Sequence, residues 1–360
     1  MRSRLLNDPA WFGATMGFGA MSAVAALNPG GLAALETPSR VLAIILLVCS
    51  VVGFVLLLAR DIGVREIGRK TLADLRAPLS GPAYATIPGT INVIGIVLIA
   101  LFPRYVDTAA GWIVILVIAT IGTGFGLFLT VIFFVAAFEQ IDFEAEDISG
   151  IWFIPETAVL LGSVLFAELA MEGPYGSART FTIIALALMG AGALLFAFTA
   201  ALFINRLVLH SQVRRTGSAA MWIMLSPMSV TALALHTVTH ASVNLAGDWE
   251  ADVQASSDLL ASMLWGFCLW WIAAAAMITR HAGGNAYRFQ PSSWAYVFPP
   301  AAMTLVTIVL GRYWDSAFME VLSVVFSVIL LLVTLGVGVG AVRAIRAEYR
   351  RSGPKTHAAG

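Results

Sequence analysis

Four polar side chains that could bind a proton, a metal or a solute fall within or beside stretches otherwise too apolar to hold them. Glu156 follows Pro155 in Phe153-Ile154-Pro155-Glu156, while His236, His240 and Asn244 recur at four-residue steps. Ionisable groups in such surroundings are costly and mark candidate sites. Glu156 has two readings: a carboxylate that takes up and releases a proton along a transport path, or a structural carboxylate held by backbone amides freed beside the proline. The four-residue step puts His236 and His240 on one helix face, with Asn244 one turn on. A polar path lining, a hydrogen bond between helices and a zinc site are all compatible with that spacing. Thr237 stands where the His-Glu-x-x-His peptidase motif requires its glutamate, so the general base of that chemistry is missing. The expectation is no catalytic residue, no bound metal and no cofactor. Phe298, one residue before Pro299, is either a plug projecting into a path or a packed core phenylalanine.

The elements that must position these groups are marked by proline. Pro299, Pro227, Pro155 and Pro88 lie inside apolar segments, at steps of 72, 72 and 67 residues. A proline inside a helix removes a hydrogen bond and kinks it. One further step back lands near Gly17 and Gly19, where glycine replaces proline. The chain therefore reads as five copies of a unit of about 70 residues, each with one broken and one unbroken helix. Ten apolar windows long enough to cross a bilayer can be placed, at 10–30, 39–59, 84–102, 111–138, 150–171, 180–206, 219–245, 257–280, 292–311 and 317–343. All the interior prolines sit in odd-numbered windows. Broken backbone is tolerated in a membrane only where protein buries it or it lines a water-filled cavity. The alternation predicts an inner ring around a polar path and an outer ring shielding it.

Hydrophobic residues make up 59% of the chain and charged residues 12%, which fits an integral membrane protein of the all-α class in a lipid bilayer. A net charge of zero gives no ground for expecting a nucleic-acid partner. With the N-terminus inside, seventeen Lys and Arg fall on the inner side and four (Arg40, Arg104, Arg179, Arg312) on the outer, so both termini are expected in the cytoplasm. Residues 1–345 are read as one ten-helix domain and 346–360 as a basic cytoplasmic tail. Cys49 and Cys268 lie in apolar runs as small hydrophobes, with no disulfide expected. Ala23-Val24-Ala25 looks like a signal-peptide cleavage site, but its segment continues the repeat and is expected to be retained. The stretch 139–147 is acidic, a solvated turn or a docking loop, and 60–76 is basic enough to lie on anionic lipid. Walker, GxSxG and dinucleotide-binding motifs are absent from the sequence, so energy from bound ATP is not indicated.

Short motifs over about 10–345 resemble the tellurite-resistance/dicarboxylate transporter family, which includes plant slow-type anion channels, yeast malate permeases and sulfite exporters. They are Phe12-Gly13-Ala14-Thr15-Met16-Gly17-Phe18-Gly19, Trp152-Phe153-Ile154-Pro155, Leu225-Ser226-Pro227 and Trp294-Ala295-Tyr296-Val297-Phe298-Pro299. The last is the most specific, since it is similar to the family's aromatic Phe-Pro segment whose phenylalanine occludes the pore. The resemblance implies five helical hairpins in a quasi-fivefold arrangement, a pore in each protomer lined by the odd helices and gated by Phe298, and a homotrimer in the cell membrane. The implied function is transport of small anions: C4-dicarboxylates such as malate, or tellurite, sulfite and halide-like ions. Helix dipoles would supply selectivity, because no Lys or Arg lies mid-window. Glu156 and the histidine pair stand outside the family pattern. They motivate two alternatives, a proton-coupled transporter using Glu156 and a membrane-embedded metalloenzyme using His236, His240 and Glu156.

Overall fold

The computed structural model describes residues 8–64, 74–78, 80–139, 147–172, 178–209, 218–242, 250–283 and 288–352. Asn244, most of the stretches 60–76 and 139–147, and the end of the tail at 346–360 lie outside the described residues. Ten main helices follow in chain order: α1 (Phe12–Ala26), α2 (Ala33–Val64), α3 (Thr86–Leu101), α4 (Ala109–Glu139), α5 (Phe153–Glu172), α6 (Ala178–Leu209), α7 (Leu225–Ala241), α8 (Glu250–Ala282), α9 (Phe298–Tyr313) and α10 (Ala317–Ser352). No strand occurs among the described residues.

Nine of these helices, α2 to α10 with their preceding turns where present, are long and apolar enough to cross a membrane. Helix α1 has 15 residues, about 22 Å at about 1.5 Å per residue, which falls short of a hydrocarbon layer of about 30 Å. It survives at that length because protein, not lipid, surrounds it: twelve of its residues are buried.

The two sets of helices differ in what they touch. In the most apolar stretch of α3, α5, α7 and α9, 67, 89, 83 and 72% of residues are buried; in α2, α4, α6, α8 and α10 the values are 22, 39, 28, 22 and 17%. Side chains such as Val55, Leu56, Leu194, Met263, Trp270 and Leu332 are exposed on the even helices. Apolar surface on that scale is stable only against lipid or another protein. Each odd helix packs on its even successor, and α1 meets α3, α3 meets α5, α5 meets α7, α7 meets α9 and α9 returns to α1.

Glycine makes the last contact possible. A β-carbon at Gly13 would lie 3.4 Å from Trp294 Cβ, and one at Gly17 would lie 3.0 Å from Val297 Cγ1, so the backbone of α1 approaches the side chains of the turn that leads into α9.

The prolines act differently from the expected mid-membrane kink. Pro88, Pro155 and Pro227 are the third residues of α3, α5 and α7, and Pro299 is the second of α9. In a first turn the missing N–H is tolerated. What the proline interrupts is the junction with a short segment before it: the 3-10 turns Gly81–Ala85, Gly150–Trp152 and Pro291–Tyr296, and the short helix Ser218–Ile223. Helix α1 follows a similar turn, Pro9–Trp11. The break therefore sits at the N-terminal end of each odd helix, leaving its body intact. Proline is also not confined to the odd helices, since α2 begins earlier than its window and takes in Pro38.

Candidate functional site

The five junctions meet. A cavity of about 60 Å³ is lined by Ala10, Gly13 and Met16 of α1 and its turn, Ala83 and Thr86 at α3, Ile151, Ile154 and Thr157 at α5, Ile223 and Ser226 at α7, and residues from Pro291 to Pro299 at α9. All five odd helices thus present their N-terminal ends to one space. Among the described residues no side chain caps the first turn of α1, α3, α7 or α9; the residues before them are Trp11, Ala85, Met224 and Val297. The positive ends of α3, α7 and α9 are not offset by a carboxylate at those positions, while ahead of α1 the Asp8 carboxylate accepts from the Ala10 amide.

The lining carries no charged side chain. Its polar groups are hydroxyls. Thr86 Oγ1 donates to Ala83 O at 2.6 Å, Thr157 Oγ1 to Phe153 O at 2.6 Å and Ser226 Oγ to Ile223 O at 2.8 Å. Thr157 Oγ1 and Ser226 Oγ lie 3.1 Å apart across the α5–α7 contact. Each hydroxyl can turn its proton from a backbone carbonyl to a solute. One layer deeper, Thr15 Oγ1 of α1 and Thr90 Oγ1 of α3 repeat the arrangement at 3.1 Å.

Phe298 is the first residue of α9, lines the cavity and is 7% exposed. Its backbone is braced by α1, where a β-carbon on Gly17 would lie 3.8 Å from Phe298 N. The adjoining rim is sealed by aromatic and polar seams: Phe18 packs on Trp294 with ring centroids 5.3 Å apart, and Ser218 Oγ meets Tyr296 Oη at 2.6 Å.

Glu156 is fully buried but does not line the cavity; its neighbour Thr157 does. The carboxylate instead faces α6. A β-carbon on Gly192 of α6 would lie 3.3 Å from Glu156 O, and Thr199 of the same helix is the hydroxyl facing the carboxyl group. Neither carboxyl oxygen has a hydrogen-bond partner among the described residues.

His236 and His240 pack with their rings tilted by 43° and centroids 4.2 Å apart near the C-terminal end of α7, away from the cavity. The structure therefore brings the two histidines together, and separates them from Glu156 and from Phe298. Their partner is a residue the sequence reading missed. Asp258 of α8 is fully buried, with Oδ1 2.7 Å from His236 Nδ1 and Oδ2 3.5 Å from His240 Nε2. The available signal was an aspartate followed by an apolar run, Asp258-Leu259-Leu260, just inside the edge of the eighth window, where charged residues are ordinary. Asn92 was missed as well. Fully buried on α3, it donates from Nδ2 to Ala158 O of α5 at 3.1 Å and packs against α4, where a β-carbon on Gly122 would lie 2.3 Å from its Oδ1.

Comparison with known proteins supplies the family. An uncharacterized transporter of Methanocaldococcus jannaschii is 24% identical over 326 residues, covering 89% of this chain and 85% of the relative. A sulfite efflux pump of Arthroderma otae is 23% identical over 337 residues, covering 89% and 86%. A sulfite efflux pump of Trichophyton rubrum matches at 22% over 193 residues, about half of each chain. A sequence model described as voltage-dependent anion channel matches residues 8–342, nearly the whole chain and every main helix from α1 into α10. This bears out the resemblance read from the motifs, and the chain belongs to the voltage-dependent anion channel family.

Proposed function

We propose that the protein carries small anions across the cell membrane through the space between its five odd helices, with Phe298 as the obstruction that must move for conduction. The observation that carries the reading is the convergence of five helix N-termini on one uncharged, mostly apolar cavity with a few hydroxyls in its wall. Such ends attract anions without a bound cation, and fixed dipoles do not hold the ion as tightly as a lysine would. In this reading α1 is the tenth crossing, the five hairpins are related by a quasi-fivefold axis along the path, and three copies assemble through the exposed outer helices. Arg60, Arg206, Arg280 and Arg343 stand toward the C-terminal ends of α2, α6, α8 and α10, beside the cavity mouth, which supports a cytoplasmic mouth.

The preferred cargo is a small monovalent anion such as hydrogen sulfite, nitrate or chloride, ahead of C4-dicarboxylates or tellurite. Desolvation cost grows steeply with charge, and a lining without Lys or Arg cannot repay it for a dianion. The names of the sulfite efflux pumps among its relatives point the same way. Proteoliposomes under an imposed membrane potential test this. Sulfite, nitrate and chloride flux should exceed malate flux, and cation flux should be absent; malate moving fastest would sink the reading.

Glu156 favours a second reading, coupling to protons. A fully buried carboxyl group facing only the Thr199 hydroxyl, with no hydrogen bond within range among the described residues, is retained at a cost, and sits one residue from the cavity wall. Coupling would show as anion uptake driven by a proton gradient with the membrane potential clamped at zero.

A further inference from the structure

The histidine and aspartate cluster is not accounted for by anion conduction. It lies near the end of α7 opposite the cavity, and its three side chains each offer one ligand atom, all within 4.8 Å of one another. Two imidazoles and a carboxylate suit zinc and its first-row neighbours. A tetrahedral ion with bonds of about 2.0–2.1 Å holds its donors about 3.4 Å apart. His240 Nε2 and Asp258 Oδ2 are already 3.5 Å apart, too long for a good hydrogen bond and right for two donors across an ion. Both atoms are buried and have no hydrogen-bond partner among the described residues. His236 Nδ1 lies 2.7 Å from the other carboxyl oxygen, Asp258 Oδ1, so it joins the same ion by a turn of its ring or of the carboxylate.

The surroundings fit a site as well. Asp258 is fully buried, so its charge is poorly solvated and favours a cation. The ring of Tyr313 on α9 packs edge-on against both imidazoles, with centroids 5.6 and 5.8 Å away, and closes one side. His240, with a side chain 30% exposed, leaves a way in.

We propose that His236, His240 and Asp258 bind a divalent transition-metal ion that clamps α7 to α8 beside the end of α9. The assignment does not depend on which anion is carried. Its chemistry is three protein donors with room for a fourth ligand, so the ion is exchangeable. A clamp between one inner and one outer helix would restrain the ring at the end away from Phe298.

The test uses full-length protein, purified in detergent and stripped with chelator. Titration with Zn²⁺ should give one ion per chain and raise the melting temperature. Co²⁺ should give the intense visible absorption of a tetrahedral centre, displaced by Zn²⁺. Asp258→Asn and His240→Gln should each weaken Zn²⁺ binding at least tenfold. Absence of Zn²⁺ binding and of a Co²⁺ spectrum in the wild type overturns the proposal without any variant. Binding that persists unchanged in His240→Gln overturns it equally, and leaves the His236–Asp258 contact as a structural hydrogen bond.

Discussion

Gly17 of α1 faces Val297, the residue before α9, so closely that a β-carbon at position 17 would stand 3.0 Å from Val297 Cγ1. This contact closes the sequence of odd-helix contacts and lies one residue from Phe298. Gly17→Leu should overpack it, lowering stability by about 1–3 kcal/mol. Gly17→Ala should cost much less, because only Val297 must shift by a few tenths of an ångström. Thermal melts in detergent check the ranking; equal melts for the two variants would show that α1 and α9 do not bear on each other there.

Phe298→Ala should raise anion flux severalfold while lowering the melting temperature little. A core phenylalanine truncated to alanine costs about 3–5 kcal/mol. A side chain at a cavity wall leaves less packing behind. Flux per folded protein in proteoliposomes separates the two roles, and a large loss of stability with unchanged flux would assign Phe298 to the core.

Glu156→Gln keeps the shape and removes the exchangeable proton. Any uptake driven by a proton gradient alone should fall to background, while flux driven by membrane potential should remain. Retained proton-driven uptake in the variant would remove Glu156 from the transport cycle.

Asp8 lies before α1, where its Oδ1 accepts from the Ala10 amide at 2.9 Å. Burial holds its carboxyl above the ordinary carboxylate range, opposed by that amide and by Arg60. The folded protein thus keeps the proton to higher pH than the unfolded chain, and folding takes up a proton in between. Stability should fall as pH rises from about 4 toward neutral through this window. Asp8→Asn keeps an oxygen for Ala10 and cannot ionise. Its melting temperature relative to wild type should therefore rise across the same range; a parallel pH profile for both proteins would disprove the role.

The parity of the helices was legible because proline and apolar length are local signals. Pro88, Pro155, Pro227 and Pro299 led to the odd set, and the odd set is the buried one. Proline position within the helix was not legible. A run such as Phe153-Ile154-Pro155 continues the apolar pattern on both sides, so the 3-10 turn before α5 has no separate hydropathy signature. Glu156 was singled out for its charge, but which of two adjacent residues meets the cavity depends on the rotation of α5, which a fully buried helix does not encode in any polar stripe. Asp258 escaped because its partners are on another helix, 22 and 18 residues away. Periodicity within one helix cannot reveal such a pair.

The first-turn prolines also set an electrical asymmetry. They fix the junctions at one level, close to the N-terminal ends of helices whose bodies run on for several more turns. On the proposed path, an anion resting in the cavity would have crossed less of the transmembrane voltage from the near side than remains ahead. One full elementary charge across 100 mV is about 2.3 kcal/mol. Occupancy from the near face should respond weakly to potential and occupancy from the far face strongly, so that current through the protein rectifies even in identical solutions.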